Sequence, residues 1–232
     1  MGAGGVFPPP RGYFEAIQPL LRQHDILFIA DEVITGFYRT GGMLGSDTCG
    51  IRPDTISMAK ALSGGYQPIG AVMITDEIHE ALVEGSRRFG LFGHGFTYSG
   101  HPVPAAVALE TQRIYDADAT GAHVGAISPR FQARLRALGR HPLVGEARGV
   151  GLIGAVELVE DKAARRNFDP GRKVGAWVVQ AAMERGLILR ALMNDTVAIC
   201  PPLIITEAQI DELFDALSAA LDDALAVFGP KG

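Results

Sequence analysis

Five apolar residues in a row, Ile26-Leu27-Phe28-Ile29-Ala30, run straight into a pair of carboxylates, Asp31 and Glu32. A continuous apolar run of this kind is what a strand covered on both faces requires, so it reads as an interior strand of a parallel sheet. Two further short apolar runs, at residues 55–59 and 71–75, are punctuated by Ser63-Gly64-Gly65 and Pro68, and are expected to join the same sheet as strand, loop, strand. An amphipathic stretch at 13–22 precedes them.

From His101 to Leu138 the chain turns alanine-rich and helical, with breaks expected near Gly121 and Pro129, and here the fold is expected to change domain. Beyond it, residues 151–158, 187–192 and 196–200 look like strands, and 173–185 and 207–228 like helices. The last helix has Thr206 as its N-cap candidate, Glu207 in its first turn, and Ile210, Leu213, Phe214, Leu217 and Leu221 on one face. The alternation predicts an α/β fold with a sheet-bearing domain over 1–120 and a compact α/β domain over 121–232.

Composition narrows the function classes. A hydrophobic share of 47% with 20% charged residues supports a packed core. The net charge of −5, with no block of lysines or arginines, gives no footprint for nucleic acid or an anionic membrane surface. No apolar run approaches the ~20 residues of a membrane span. Cys49 and Cys200 stand far apart without metal-knuckle spacing, which fits a reduced, cytoplasmic setting. These features point to a small-molecule partner.

Asp31 and Glu32 follow the first strand, where the carboxyl ends of strands in a doubly wound sheet open onto a ligand crevice. Successive strand side chains point to opposite faces, so one of the pair can enter a site while the other cannot. Taken alone, the dipeptide reads more readily as a solvated pair capping the turn at Gly36. Lys60 ends the second apolar run and is followed by Ala61-Leu62-Ser63-Gly64-Gly65, which places an amine beside close-approach glycines. An isolated lysine is usually a solvated side chain. A carboxylate at position 31 and an amine at position 60, leaving neighbouring strands, suit a cofactor that needs an imine-forming amine and a counter-ion for a ring nitrogen. Pyridoxal phosphate needs both.

Three ordered motifs then make the chain recognisable: Asp31-Glu32-Val33-Ile34-Thr35-Gly36-Phe37-Tyr38-Arg39-Thr40-Gly41, Ser57-Met58-Ala59-Lys60-Ala61-Leu62 and Phe96-Thr97-Tyr98-Ser99-Gly100-His101-Pro102. With Gly149-Val150-Gly151-Leu152 and Cys200-Pro201-Pro202-Leu203, the sequence resembles the class III aminotransferases over nearly its whole length, closest in pattern to the omega-amino acid and amine–pyruvate branch. The resemblance implies fold type I, a large doubly wound domain with a mostly parallel sheet, and a small C-terminal domain. It implies that Lys60 is the Schiff-base lysine and proton-moving base, that Asp31 holds the pyridine nitrogen protonated, and that Val33 packs on the ring face. Thr97 matches a threonine that reaches the cofactor phosphate of a neighbouring subunit, implying a homodimer. Arg190 matches a mobile arginine that binds the substrate carboxylate, although a surface strand arginine would look the same in sequence.

The implied reaction moves an amino group from an omega-amino acid or amine to a keto acid such as pyruvate. An aminomutase or decarboxylase on the same scaffold stays open, as does a non-catalytic remnant that binds or dimerises. The family's phosphate-cradling glycine–serine turn and ring-stacking aromatic fall upstream of these motifs, so the resemblance leads one to expect the C-terminal part of such an enzyme. Ile34 stands where members acting on ornithine or 4-aminobutyrate carry glutamine, and Tyr38 where glycine is commoner.

Gly149-Val150-Gly151-Leu152-Ile153-Gly154 fits G-x-G-x-x-G, but it runs into a strand and opens no helix, so it reads as a glycine-bearing strand entry. His94 and His101 read as loop and packing residues, and the histidine spacing offers no metal pair.

Overall fold

The computed structural model describes residues 1–229, which form two compact units. The second unit comprises residues 9–38 and 42–119; residues 1–8, 39–41 and the chain from Thr120 onward form the first. The C-terminal domain expected from the sequence runs to residue 232, and its last three positions lie outside the described residues.

In the second unit, strands β1 (Ile29–Asp31), β2 (Thr55–Met58) and β3 (Ala71–Ile74) make one sheet in that order. β1 runs parallel to β2, with Asp31 opposite Ser57, and β2 runs antiparallel to β3, with Met58 opposite Ala71. The expected interior strand is therefore shorter than its apolar run and lies at the edge of this sheet, and Ile26, Leu27 and Ile29 are all exposed. Continuous apolarity reports what a strand can bury, whereas burial needs a second element against each face; here Phe28 meets Phe14 and Ala30 is buried, while the face of Leu27 and Ile29 stays exposed. Helices α1 (Tyr13–Gln23), α2 (Gly45–Cys49), α3 (Asp76–Phe89) and α4 (Pro102–Ala117) complete the unit.

In the first unit, β4 (Val144–Val150), β5 (Ile153–Leu158), β6 (Arg190–Ala191) and β7 (Thr196–Ile199) build an antiparallel sheet of order β4-β5-β7-β6. Helix α5 (Thr120–Leu138) lies against β4 and β5, α6 (Val174–Met183) against β6 and β7, and α7 (Glu207–Phe228) against both helices. The break expected at Pro129 does not occur, for Pro129 sits inside α5. Val124, Ile127, Phe131 and Leu135 bury one face of α5 on both sides of the proline, and that packing outweighs the roughly 3 kcal/mol a proline costs a helix interior. α7 starts where the sequence placed it. The Thr206 hydroxyl accepts from the Gln209 amide at 3.3 Å, and the Gln209 side chain accepts from the Thr206 amide at 2.9 Å, which closes a capping box.

The glycine motif also finds its reason here. Gly151 and Leu152 make the tight connection between paired strands β4 and β5, with Gly151 at φ +56°. A Cβ at Gly151 would lie 2.5–2.6 Å from the backbone of Arg39 and Thr40, and one at Gly154 would lie 2.4 Å from Leu135 on α5. The motif is a hairpin against which a helix and a loop pack closely, more than the strand entry anticipated.

Candidate active site

At the end of β1 the two carboxylates part company. Asp31 is exposed, whereas Glu32 is only 2% exposed. This is the alternation expected of strand side chains, and it assigns them different work. The Glu32 carboxylate accepts from the Gly45 amide at 2.8 Å, the Ser46 amide at 2.6 Å, the Ser46 hydroxyl at 2.6 Å and the Thr35 hydroxyl. Four donors offset the cost of burying the carboxylate without a cation and pin the start of α2 to the end of β1. Its charge is felt nearby, because the Cys49 thiol is pushed above its ordinary pKa, first by burial and then by Glu32.

Asp31 is held more lightly. Its Oδ1 accepts the Val33 amide at 3.0 Å, and its Oδ2 has no hydrogen-bond partner among the described residues. The Thr35 hydroxyl, whose proton goes to Glu32, also stands 3.4 Å from the Asp31 carbonyl, so the turn after β1 packs against the strand end.

Parallel pairing carries this carboxylate to the same sheet edge as Lys60. Asp31 lies opposite Ser57, the Ser57 carbonyl accepts the Glu32 amide at 2.9 Å, and the chain leaves β2 through Ala59 into Lys60. Lys60 begins a 3-10 turn, Lys60–Ser63, with φ +48°, and its side chain is exposed. Gly64 and Gly65, both with positive φ, close the turn.

Thr97 lies in the same unit, in the turn after Phe96, where the Phe96 amide donates to the Ser99 hydroxyl at 2.9 Å, and it is exposed. His101, read from sequence as a packing residue, caps α4 by accepting the Val103 amide at 3.1 Å. Arg190 belongs to the other unit, on β6, paired with Ala198 and exposed. Asp31, Val33 and Lys60 are thus brought to neighbouring strand ends. The clamp made by Glu32 was not separable from the role of Asp31 in sequence, since only the direction of each side chain tells them apart.

The donor set fits pyridoxal phosphate: an exposed amine that can bond covalently to an aldehyde, and beside it on the adjacent parallel strand a carboxylate with an open oxygen for a protonated ring nitrogen. Gly64 and Gly65 bring no side chain of their own to the close of the turn that Lys60 begins. Among the described residues no cluster of His, Cys, Asp and Glu is placed to hold a metal ion.

Comparison with known proteins defines the family of the chain. The aminotransferase class III family model matches residues 1–221. A mitochondrial gamma-aminobutyrate transaminase 1 from Oryza sativa subsp. japonica is 48% identical over 221 residues, which is 95% of this chain and 43% of the relative. A chloroplastic gamma aminobutyrate transaminase 3 from Solanum lycopersicum is 46% identical over 96% of this chain and 43% of its own length. Among solved structures, a PMP-bound aminotransferase from Vibrio fluvialis superposes with a TM-score of 0.94 at 43% identity, covering 99% of this chain and 50% of that one. A thermostable omega transaminase from Pseudomonas jessenii gives a TM-score of 0.94 at 45% identity, covering 99% of this chain and 51% of its own.

The chain belongs to the class III aminotransferases, a family of fold type I that depends on pyridoxal phosphate. It spans about half the length of the curated relatives it matches. No helix among the described residues is long and apolar enough to cross a membrane.

Proposed function

We propose that this chain carries the covalent and ring-binding half of an aminotransferase site, and that the protein it represents moves an amino group from an omega-amino acid or amine to a keto acid such as pyruvate. The observation that supports this most is the placement of Asp31 and Lys60 at the ends of paired parallel strands, each with its functional group open.

Bound pyridoxal phosphate supplies an electron sink for the carbanion formed when the substrate loses a proton. Lys60 would hold the cofactor through its amine and would be the base that takes and returns that proton. Asp31 keeps a proton on the ring nitrogen, using the carboxylate oxygen that Val33 leaves free. Val33 would pack against the ring face. Thr97 binds phosphate through its hydroxyl across a homodimer interface. The Arg190 guanidinium would receive the substrate carboxylate in a two-pronged contact. The free thiols of Cys49 and Cys200 accord with a reducing compartment such as the cytoplasm.

The test begins with the recombinant chain and pyridoxal phosphate. A visible absorbance band that Lys60→Ala abolishes, with pyridoxal phosphate trapped on Lys60 by borohydride reduction, is the expected result. Absence of the band in the unsubstituted chain overturns the cofactor reading. Amino-group exchange between an amine and pyruvate, followed on the same preparation, then tests turnover. Arg190→Ala should weaken the use of carboxylate substrates about tenfold or more while sparing simple amines, and unchanged kinetics would remove Arg190 from the site.

A further inference from the structure

Lys60 stands between two parts of the second unit that have their own fixed positions. On its N-terminal side, β2 is locked by pairing with both neighbours, Ser57 facing Asp31 and Val72, and Met58 facing Ala71. On its C-terminal side, the 3-10 turn is tied to α4 by two side chains. The Tyr115 hydroxyl donates to the Ala61 carbonyl at 2.9 Å, and the Gln112 amide nitrogen donates to the Leu62 carbonyl at 3.1 Å. These are the carbonyls of the two residues directly after Lys60. Gln112 and Tyr115 sit one helical turn apart, so a single face of α4 holds both.

The left-handed backbone of Lys60, φ +48°, is unfavourable for a residue with a long side chain. Such strain persists only where the surroundings over-determine it. The turn's own bonds, Gly64 amide to Ala61 carbonyl and Gly65 amide to Lys60 carbonyl, both at 3.2 Å, set its curvature without anchoring it to anything else. The anchor is α4.

We propose that Tyr115 and Gln112 are positioning residues that hold Lys60 in its left-handed conformation and so aim its amine. The proposal rests on the reading of Lys60 as the cofactor lysine and adds the pair that places it. Tyr115 also reaches the loop beyond Asp31. Its ring lies 6.4 Å from that of Phe37 and edge-on to Tyr38 at 6.2 Å, and both of those residues have positive φ themselves. One side chain thereby links the turn that follows the amine with the loop that follows the carboxylate. The tyrosine at position 38, which departs from the family's commoner glycine, gains a role as part of that link.

The test uses Tyr115→Phe, which keeps the ring and removes the hydroxyl, Gln112→Met, which keeps the shape and removes the donor, and the pair together. In the cofactor-free chain, the Gly64 and Gly65 amides of the double variant should exchange with solvent at least tenfold faster, with the amides of β4 and β5 unchanged as a control for folding. With pyridoxal phosphate added, the yield of reduced adduct on Lys60 should fall at least fivefold, and the pH midpoint of its visible band should move. Unchanged exchange at Gly64 and Gly65 overturns the proposal, and so does an unchanged adduct yield and pH midpoint in a chain that binds cofactor. If the unsubstituted chain forms no adduct, the proposed function fails while the exchange measurement still decides the brace. Should the double variant not fold, Tyr115→Phe alone decides by the same readouts.

Discussion

The two units are ordered by different means. The unit that contains the antiparallel sheet is built around apolar packing, with Phe131 and Phe214 meeting edge to face at 5.2 Å and Leu135, Val156, Leu217 and Leu221 fully buried. In the unit that carries Asp31 and Lys60, the buried apolar residues are Ala30, Phe37 and Ala108, while Ile29, Val72 and Leu109 are all more than 60% exposed. What is buried there instead is polar: Glu32, Thr35, Ser46, Ser63 and Thr111. A core residue contributes several kcal/mol, a net hydrogen bond about one. The contrast teaches that the candidate chemistry sits on the part of the chain that is shaped by directional bonds, and not on the part that holds most of the apolar burial.

That contrast can be broken most directly by truncation. Phe214→Ala should destabilise the antiparallel unit by about 3–5 kcal/mol in denaturant unfolding, because it removes a fully buried ring, whereas Val72→Ala should stay within about 0.5 kcal/mol. Equal costs at the two positions would erase the difference between the units. Glu32→Gln should cost about 1–3 kcal/mol locally, since the amide keeps the shape but turns a donor toward the Gly45 or Ser46 amide. Proteolysis or amide exchange across α2 would register it, and an unperturbed α2 would show that the clamp is dispensable. Gly154→Ala should cost a similar, slightly smaller amount by forcing Leu135 of α5 off the sheet, measurable as a lower unfolding midpoint.

The smallest effect is electrostatic. Burial holds the His141 imidazole below its ordinary pKa, with Asp222 opposing, and its Nε2 lies 3.5 Å from the Asp222 carboxylate without making a hydrogen bond. The unfolded chain binds a proton near pH 6.5 that the folded chain resists. Stability of the antiparallel unit is therefore complete above that pH and declines as pH falls through it. His141→Asn, which can still accept the Leu143 amide, should flatten the decline between pH 7 and 5 in unfolding titrations. An unchanged slope would assign the acid sensitivity to another group.

Legibility in the sequence follows the range of the interaction. α7 was readable to its ends because its cap and its apolar face both lie within one stretch of chain. β2 and β3 were readable from short apolar runs bounded by glycine and proline. α3 was not singled out, and β4 was read only as a glycine-bearing approach to the next strand. β4 owes its pairing to β5, and its small residues to Leu135 on a helix that precedes it. The edge position of β1 was missed because an apolar run states a capacity for burial and says nothing about which neighbours arrive.

By itself the sequence determined the α/β alternation, the motifs that hold Asp31, Val33, Lys60, Thr97 and Arg190, and the family to which those motifs point. Tertiary structure alone decided that Asp31 opens outward while Glu32 turns in, that Lys60 adopts a left-handed backbone, and that Tyr115, 54 residues away from Ala61, grips the turn it begins. The reason is physical. Residue type and local spacing determine what a group can do, but its direction and strain come from contacts between segments that meet only after the chain has packed.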